Sequence, residues 1–267
     1  MPTDRYTHGH HESVLRSHRW RTAENSAGYL LPHLQPGLSL LDVGCGPGTI
    51  TADLAARVAP GLVTAVDNAE PVLASARETL GARGVGNVDV RAGDIYALEF
   101  PDANFDVVHA HQVLQHLSRP VAALAEMRRL CKPGGVVAVR DSDYPAMAWH
   151  PDEPGLDHWM EVYLAVARGN GAEPAAGRRL LEWAQGAGFS QVTASASVWC
   201  FASPEERAWW SGLWADRVEA SDFAHQAVEG GHATLADLAG MATAWQHWGR
   251  QDAGWFVVVH GEVICSP

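Results

Sequence analysis

Short apolar runs rich in β-branched residues alternate with amphipathic stretches through the first half of the chain. LSLLDV (38 to 43), LVTAVD (62 to 67), VDVRAG (88 to 93), FDVVHA (105 to 110) and VVAVRD (136 to 141) read as buried strands. Between them, TITADLAARV, PVLASARETLGA and PVAALAEMRRL place apolar residues at helical spacing. Strand and helix in repetition predict an α/β fold, a Rossmann-like, doubly wound and mostly parallel sheet with helices on both faces. The tail differs. AAGRRLLEWAQGAGF reads as a helix, and VTASASVWCFA (192 to 202) and WFVVVHGEVIC (255 to 265) as strands able to pair antiparallel at the sheet edge. The expected organisation is a single domain: a helical cap over 1–36, a core over 38–141, and two inserts over 142–173 and 203–252.

Composition narrows the partners. With 267 residues, 47% of them hydrophobic, the chain can bury a large core. A formal net charge of −12, from 31 acidic against 19 basic residues, argues against binding nucleic acid, which needs clustered Lys and Arg. Cys45, Cys131, Cys200 and Cys265 lie far apart without zinc-type spacing, as expected of a reduced, cytoplasmic protein. The N-terminus has no apolar leader, and no run reaches the roughly 18 apolar residues of a membrane span. Oligomeric state leaves no signature.

The glycine-rich LLDVGCGPGTI (40 to 50) forms the turn from the first strand into the first helix, where open parallel sheets bind ligands. Glycines there let a ligand approach the backbone, and the helix start offers free N–H groups. Spacing discriminates between cofactors. A dinucleotide turn asks for G-x-G-x-x-G, but counting from Gly44 the third glycine position is Thr49, so the pattern is G-x-G-x-G. Asp67 closes the second strand and can accept hydrogen bonds from ribose hydroxyls. After the third strand, Asp94 can accept an adenine amino proton and Ile95 can pack the ring. Two carboxylates at successive strand ends, without an evident cation for a pyrophosphate, describe an adenosine site.

LLDVGCGPGT, VDNAE, GDIYALEFPDANFDVVHAHQVLQHL and RRLCKPGGVVAVRD together resemble the class I S-adenosylmethionine-dependent methyltransferases, within them the ubiquinone/menaquinone-biosynthesis-like, small-molecule group. The resemblance implies a seven-stranded sheet whose last strand is inserted antiparallel, and S-adenosylmethionine as cofactor, leaving S-adenosylhomocysteine. It also implies a cofactor set of Gly44, Cys45, Gly46, Asp67, Asn68, Gly93, Asp94 and Ile95, with His111 and Gln112 lining the methionine end. The cap, by the same resemblance, folds over the cofactor, and Tyr6, Arg19 and Arg21 are its candidates to reach the methionine carboxylate or the substrate.

His109 and His111 share one strand face, with His116 a turn later. A metal site is conceivable, but no cysteine or carboxylate has third-ligand spacing, so hydrogen-bonded core histidines are the better reading and no metal is expected. The histidine-rich HGHH (8 to 11) reads as solvated or as part of the cap. Catalytic candidates by position are His111, His116 and Asp141, with Asp143 and Tyr144 beside them. Ten of the eleven tryptophans follow residue 140, which suggests that the inserts form an aromatic lid over a small organic acceptor, or else that the rings fill the inserts' own core. Trp183 and Trp255 read as structural. Methyl transfer to an O, N or C nucleophile is the leading reading. A nicotinamide-linked oxidoreductase and a cofactor-binding protein with a non-methylating role stand as alternatives.

Overall fold

A computed structural model describes Thr7 and residues 11–267, so Tyr6, His8 and His10 lie outside the described residues. The parallel strands are β1 (Leu40–Val43), β2 (Val63–Asp67), β3 (Val88–Ala92), β4 (Phe105–His111) and β5 (Cys131–Ser142). The sheet runs β3-β2-β1-β4-β5-β8, and β8 (Trp255–Ser266) is antiparallel to β5 on one side and to β7 (Gln191–Phe201) on the other. The last strand is therefore the inserted antiparallel one. A short eighth strand, β6 (Ala148–His150), extends the β5 side of β8; it falls in the first insert, where no alternation announces it.

Helix placement follows side-chain parity. Leu40, Val63, Val107 and Ala138 face α2 (Ala23–Ser26) and α3 (Thr49–Val58). Their neighbours Leu41, Val108, Val137 and Val139 face α5 (Pro120–Leu130) and α7 (Ala176–Gly186). Both faces are thus apolar, as a doubly wound sheet requires.

The inserts form one additional layer. Helix α6 (Pro154–Gly169) and helices α8 (Pro204–Ala220), α9 (Asp222–Glu229) and α10 (Leu235–Gly249) pack together around Trp159, Trp214, Trp245 and Trp248. Ser203 with Glu206 and Thr234 with Asp237 close capping boxes at the starts of α8 and α10, which fixes where each helix begins. Helix α1 (Glu12–Arg19) ties this layer to the core. Arg217 donates to the Ser13 carbonyl at 3.1 Å and the Ser17 hydroxyl at 3.0 Å, while Thr49 at the start of α3 donates to the His18 carbonyl at 3.1 Å. Trp183 is buried under α7 as expected, whereas Trp255 is 42% exposed at the start of β8. Among the described residues no helix is long and apolar enough to cross a membrane.

Candidate active site

A cavity of about 920 Å³ opens above the carboxyl ends of the parallel strands, near the upper end of the range for small-molecule sites. One half is built by the turns after β1, β2 and β3. Gly44, Gly46 and Gly48 have φ of 69°, 55° and 77°, a left-handed run that side chains resist. At Gly44 a Cβ would stand 2.4 Å from Val113 Cγ2, whereas at Gly46 nothing lies within 4 Å and the backbone is bare. The Gly46 amide donates to Asp67 Oδ2 at 3.2 Å, and Ala69 donates to Oδ1 at 3.1 Å. These bonds fix the Asp67 carboxylate against the glycine turn. Asn68, Gly93, Asp94 and Ile95 continue the lining, with Cys45 on its buried side. An adenosine bearing an amino acid fits this arrangement: bare backbone at one end, a fixed carboxylate in the middle, and a carboxylate beside an apolar side chain at the other.

The other half is ringed by Trp20, Trp199, Trp210, Trp214, Tyr144 and Met147. Between the halves lies the end of β4. His109 is fully buried and bonds Asp42 through Nδ1 at 2.8 Å, so it is the hydrogen-bonded core histidine that its strand position suggests. His111 is also buried, lines the cavity, and finds no hydrogen-bond partner for either ring nitrogen among the described residues. Burial, and after it the Arg21 and Arg140 charges, hold its basicity well below that of free histidine. Gln112 has φ 54° without being glycine, a strained turn secured by its amide bond to the Arg140 carbonyl at 2.7 Å.

A forced chain of hydrogen bonds starts there. The Val258 carbonyl can only accept, so the His260 ring carries its proton on Nδ1, 3.1 Å away. His260 Nε2 must then accept from the Gln112 amide nitrogen at 2.8 Å, which leaves the Gln112 amide oxygen to accept from Arg21 Nη2 at 2.7 Å. Arg21 therefore stands in the cavity, 5.5 Å from the Trp199 ring centre. Arg19 points away and pairs with Glu12 at 2.7 Å on the surface.

His116 also lines the cavity; its Nε2 contacts the Gln115 amide nitrogen at 3.0 Å. Gln115 in turn is held by Ser142, which donates to its amide oxygen, and by its own backbone amide donating to Asp141 Oδ1 at 3.2 Å. Burial, with Arg21 nearby, lowers the His116 pKa to about 3, and burial raises that of Asp141 to about 7. Asp141 is fully buried beneath the cavity rather than on its wall, and Asp143 pairs with Arg178 at 2.6 Å. Sequence reasoning did not find His260, Gln115, Ser142 or the buried Arg140–Glu262 pair, whose contact is 3.1 Å. Each acts through a partner on a distant strand, and no local pattern carries that. Among the described residues no three His, Cys, Asp or Glu side chains gather in a way that could hold a metal ion.

The methyltransferase-domain family model matches residues 41–139, the strands and turns that build the first half of the cavity. An uncharacterized methyltransferase of Schizosaccharomyces pombe is 37% identical over 98% of this chain and 97% of its own length. The chain belongs to the methyltransferase family. The demethylmenaquinone methyltransferase of Listeria welshimeri is 32% identical over 52% of this chain and 55% of its own. Among solved structures, YcgJ of Bacillus subtilis has the same fold, with a TM-score of 0.59 at 18% identity over 91% of this chain and 98% of its own. The methyltransferase is of the class I, S-adenosylmethionine-dependent kind, and membership sets aside the nicotinamide-linked reading.

Proposed function

We propose that this methyltransferase acts on a small organic acceptor seated between the aromatic rings and the end of β4. The observation that carries the reading is the division of one cavity into a half with fixed carboxylates and bare glycine backbone and a half walled by indoles. In this reading Gly44, Cys45 and Gly46 hold the donor's amino-acid portion, Asp67 and Asn68 its ribose, and Gly93, Asp94 and Ile95 its adenine. His111 and Gln112 border the methionine end. When bound, the donor supplies an electrophilic methyl group on a sulfonium.

The chain's own work is to align a nucleophile and exclude water. Neutral His111 and His116 orient the acceptor by hydrogen bonds, and Asp141 acts from below by fixing Gln115. The cap over 1–36 and the inserts over 142–173 and 203–252 serve as the acceptor's cover, around the donor-binding core of 38–141. Four unpaired cysteines, three of them buried, fit a reducing cytoplasm.

Calorimetric titration with S-adenosylhomocysteine tests the donor half directly. Asp67→Ala is expected to lose about 1.5–3 kcal/mol of binding, the scale of a hydrogen bond to a charged group. Unchanged affinity in a folded variant would remove Asp67 from the site.

A further inference from the structure

The charges lining the cavity are sorted by half. Among the described residues the lining carboxylates are Asp42, Asp67 and Asp94, all at or just beyond the ends of β1, β2 and β3. Of the lining arginines, Arg119 stacks on Tyr96 at 4.2 Å, beside Asp94 and Ile95. Arg21 and Arg217 border the rings instead, Arg21 near Trp199 and Arg217 against Trp214 at 4.4 Å. Beneath Trp199 lies Arg140, buried, 5.0 Å from the ring centre, with no hydrogen-bond partner for Nη1 or Nη2 among the described residues. The half that receives the acceptor is therefore cationic and lined by no described carboxylate.

We infer that the acceptor is a small apolar acid bound as its oxyanion, with Arg21 as its counter-cation and the unpartnered His111 ring as its hydrogen-bond donor. This rests on the reading that the indole-walled half takes the acceptor. Three features point the same way. An anion placed there gains from Arg21 and Arg217 in surroundings of low dielectric. His111 is a buried polar side chain on the cavity wall without a partner among the described residues, and a neutral imidazole can donate one hydrogen bond to an oxyanion. Neither His111 nor His116 is basic enough to deprotonate a weakly acidic alcohol, so an acceptor that arrives ionised needs no proton removed by either. The class is a carboxylic acid, or an enol or phenol acidic enough to ionise near neutral pH. Its oxygen forms the new bond to the methyl carbon as the carbon–sulfur bond breaks and that electron pair stays on sulfur; the proton has already left the acceptor to solvent. His260 is a positioning residue here, since its bond to Gln112 is what turns the amide oxygen toward Arg21.

The test is calorimetry on the intact protein saturated with S-adenosylhomocysteine, using two isosteric pairs: 2-naphthoate against 2-naphthamide, and indole-3-acetate against indole-3-acetamide. The expected result is acid bound about ten- to a hundredfold more tightly than amide in at least one pair, the scale of a charge-assisted hydrogen bond. Arg21→Gln should reduce that preference to about twofold while S-adenosylhomocysteine affinity changes by less than about threefold, since Arg21 would serve the acceptor alone. Arg21→Lys keeps the charge and should retain part of the preference, and His260→Phe should lower it by displacing Arg21. No preference in either pair overturns the inference. So does an Arg21→Gln variant that loses S-adenosylhomocysteine affinity but keeps the preference, because Arg21 then holds the donor's carboxylate. Failure of the wild-type protein to bind S-adenosylhomocysteine would instead refute the donor assignment, and this inference with it.

Discussion

The two halves of the cavity are built in opposite ways. The half proposed for the donor comes from the turns that follow β1, β2 and β3, each within a few residues of its strand, and its key bonds are backbone amides to Asp67. The half proposed for the acceptor draws Trp20 and Arg21 from the N-terminal segment, His111 and His116 from the end of β4 and just beyond, Tyr144 and Met147 from the first insert, and Trp199, Trp210 and Trp214 from the last third of the chain. Local turns can hold a common cofactor with little dependence on what surrounds them. An assembled wall can vary with the acceptor, but it stands only as firmly as the helical layer behind it.

The largest effect should come from breaking that layer away from both ligands. Trp245 is fully buried, packs its ring against Trp159 at 4.9 Å and Trp214 at 5.7 Å, and does not line the cavity. Trp245→Ala is expected to cost about 3–5 kcal/mol of stability in urea unfolding, the range for emptying a large buried ring. Hydrogen exchange should rise in α6, α8 and α10 while S-adenosylhomocysteine affinity holds. Equal loosening of β1 to β3 would show that the halves are not separable.

A somewhat smaller effect concerns protons, and it too belongs to the acceptor side. Burial, reinforced by Arg21 or Arg140, holds His111, His116 and His260 below the usual value of 6.5, His116 at about 3. As pH falls below 6.5 the unfolded chain takes up protons that these folded rings refuse, so their contribution is complete above that value and is lost on acidification. Asp141 opposes them: raised to about 7 from 3.8, it is protonated in the fold but ionised in the unfolded chain across that interval, which favours the fold as pH drops. His116 keeps an edge open to the cavity and counts for less than a full group. The net is one to two protons, or about 2–4 kcal/mol lost between pH 6.5 and 5 at about 1.4 kcal/mol per proton per unit. Urea midpoints across that range measure it; a flat profile would mean that Asp141 cancels the histidines, and a gain on acidification that the buried histidines titrate normally.

The same contrast explains what could be read from sequence. The five parallel strands and α3, α5 and α7 followed from apolar periodicity, because each buries a continuous apolar stripe or face in the layered sheet. Gly44, Asp67 and Asp94 were legible because turn chemistry and strand ends are local. His260 was not, since its role depends on sitting across the sheet from Gln112, 148 positions earlier. The tryptophans were only half legible. Composition placed them in the inserts, but Trp159, Trp245 and Trp248 fill the helical core, while Trp210 and Trp214 reach the cavity and Trp209 does not. Which side of α8 meets the cavity depends on how α6 and α10 pack against it, and that packing has no signature within α8 itself.

The smallest expected effect is the sharpest probe of the boundary between the halves. Trp20 follows α1 and is 36% exposed, yet it lines the cavity and meets Trp199 edge-on at 5.2 Å and Trp209 at 5.4 Å. It is the ring by which the cap touches the acceptor's wall, next in sequence to Arg21. Removing it leaves the helical core intact, because the rings it touches have other partners: Trp199 meets His260 at 4.4 Å, and Trp209 meets Phe201 at 5.9 Å and Trp210 at 6.0 Å. Trp20→Ala should therefore remove only aromatic contacts worth about 0.5–1.5 kcal/mol, a two- to twelvefold weakening of an aromatic acid, with S-adenosylhomocysteine affinity unchanged. If instead the donor product is released and the acid binds as before, the cap closes over the donor rather than over the acceptor. The boundary between the halves then runs through Arg21, and the aromatic wall begins at Trp199.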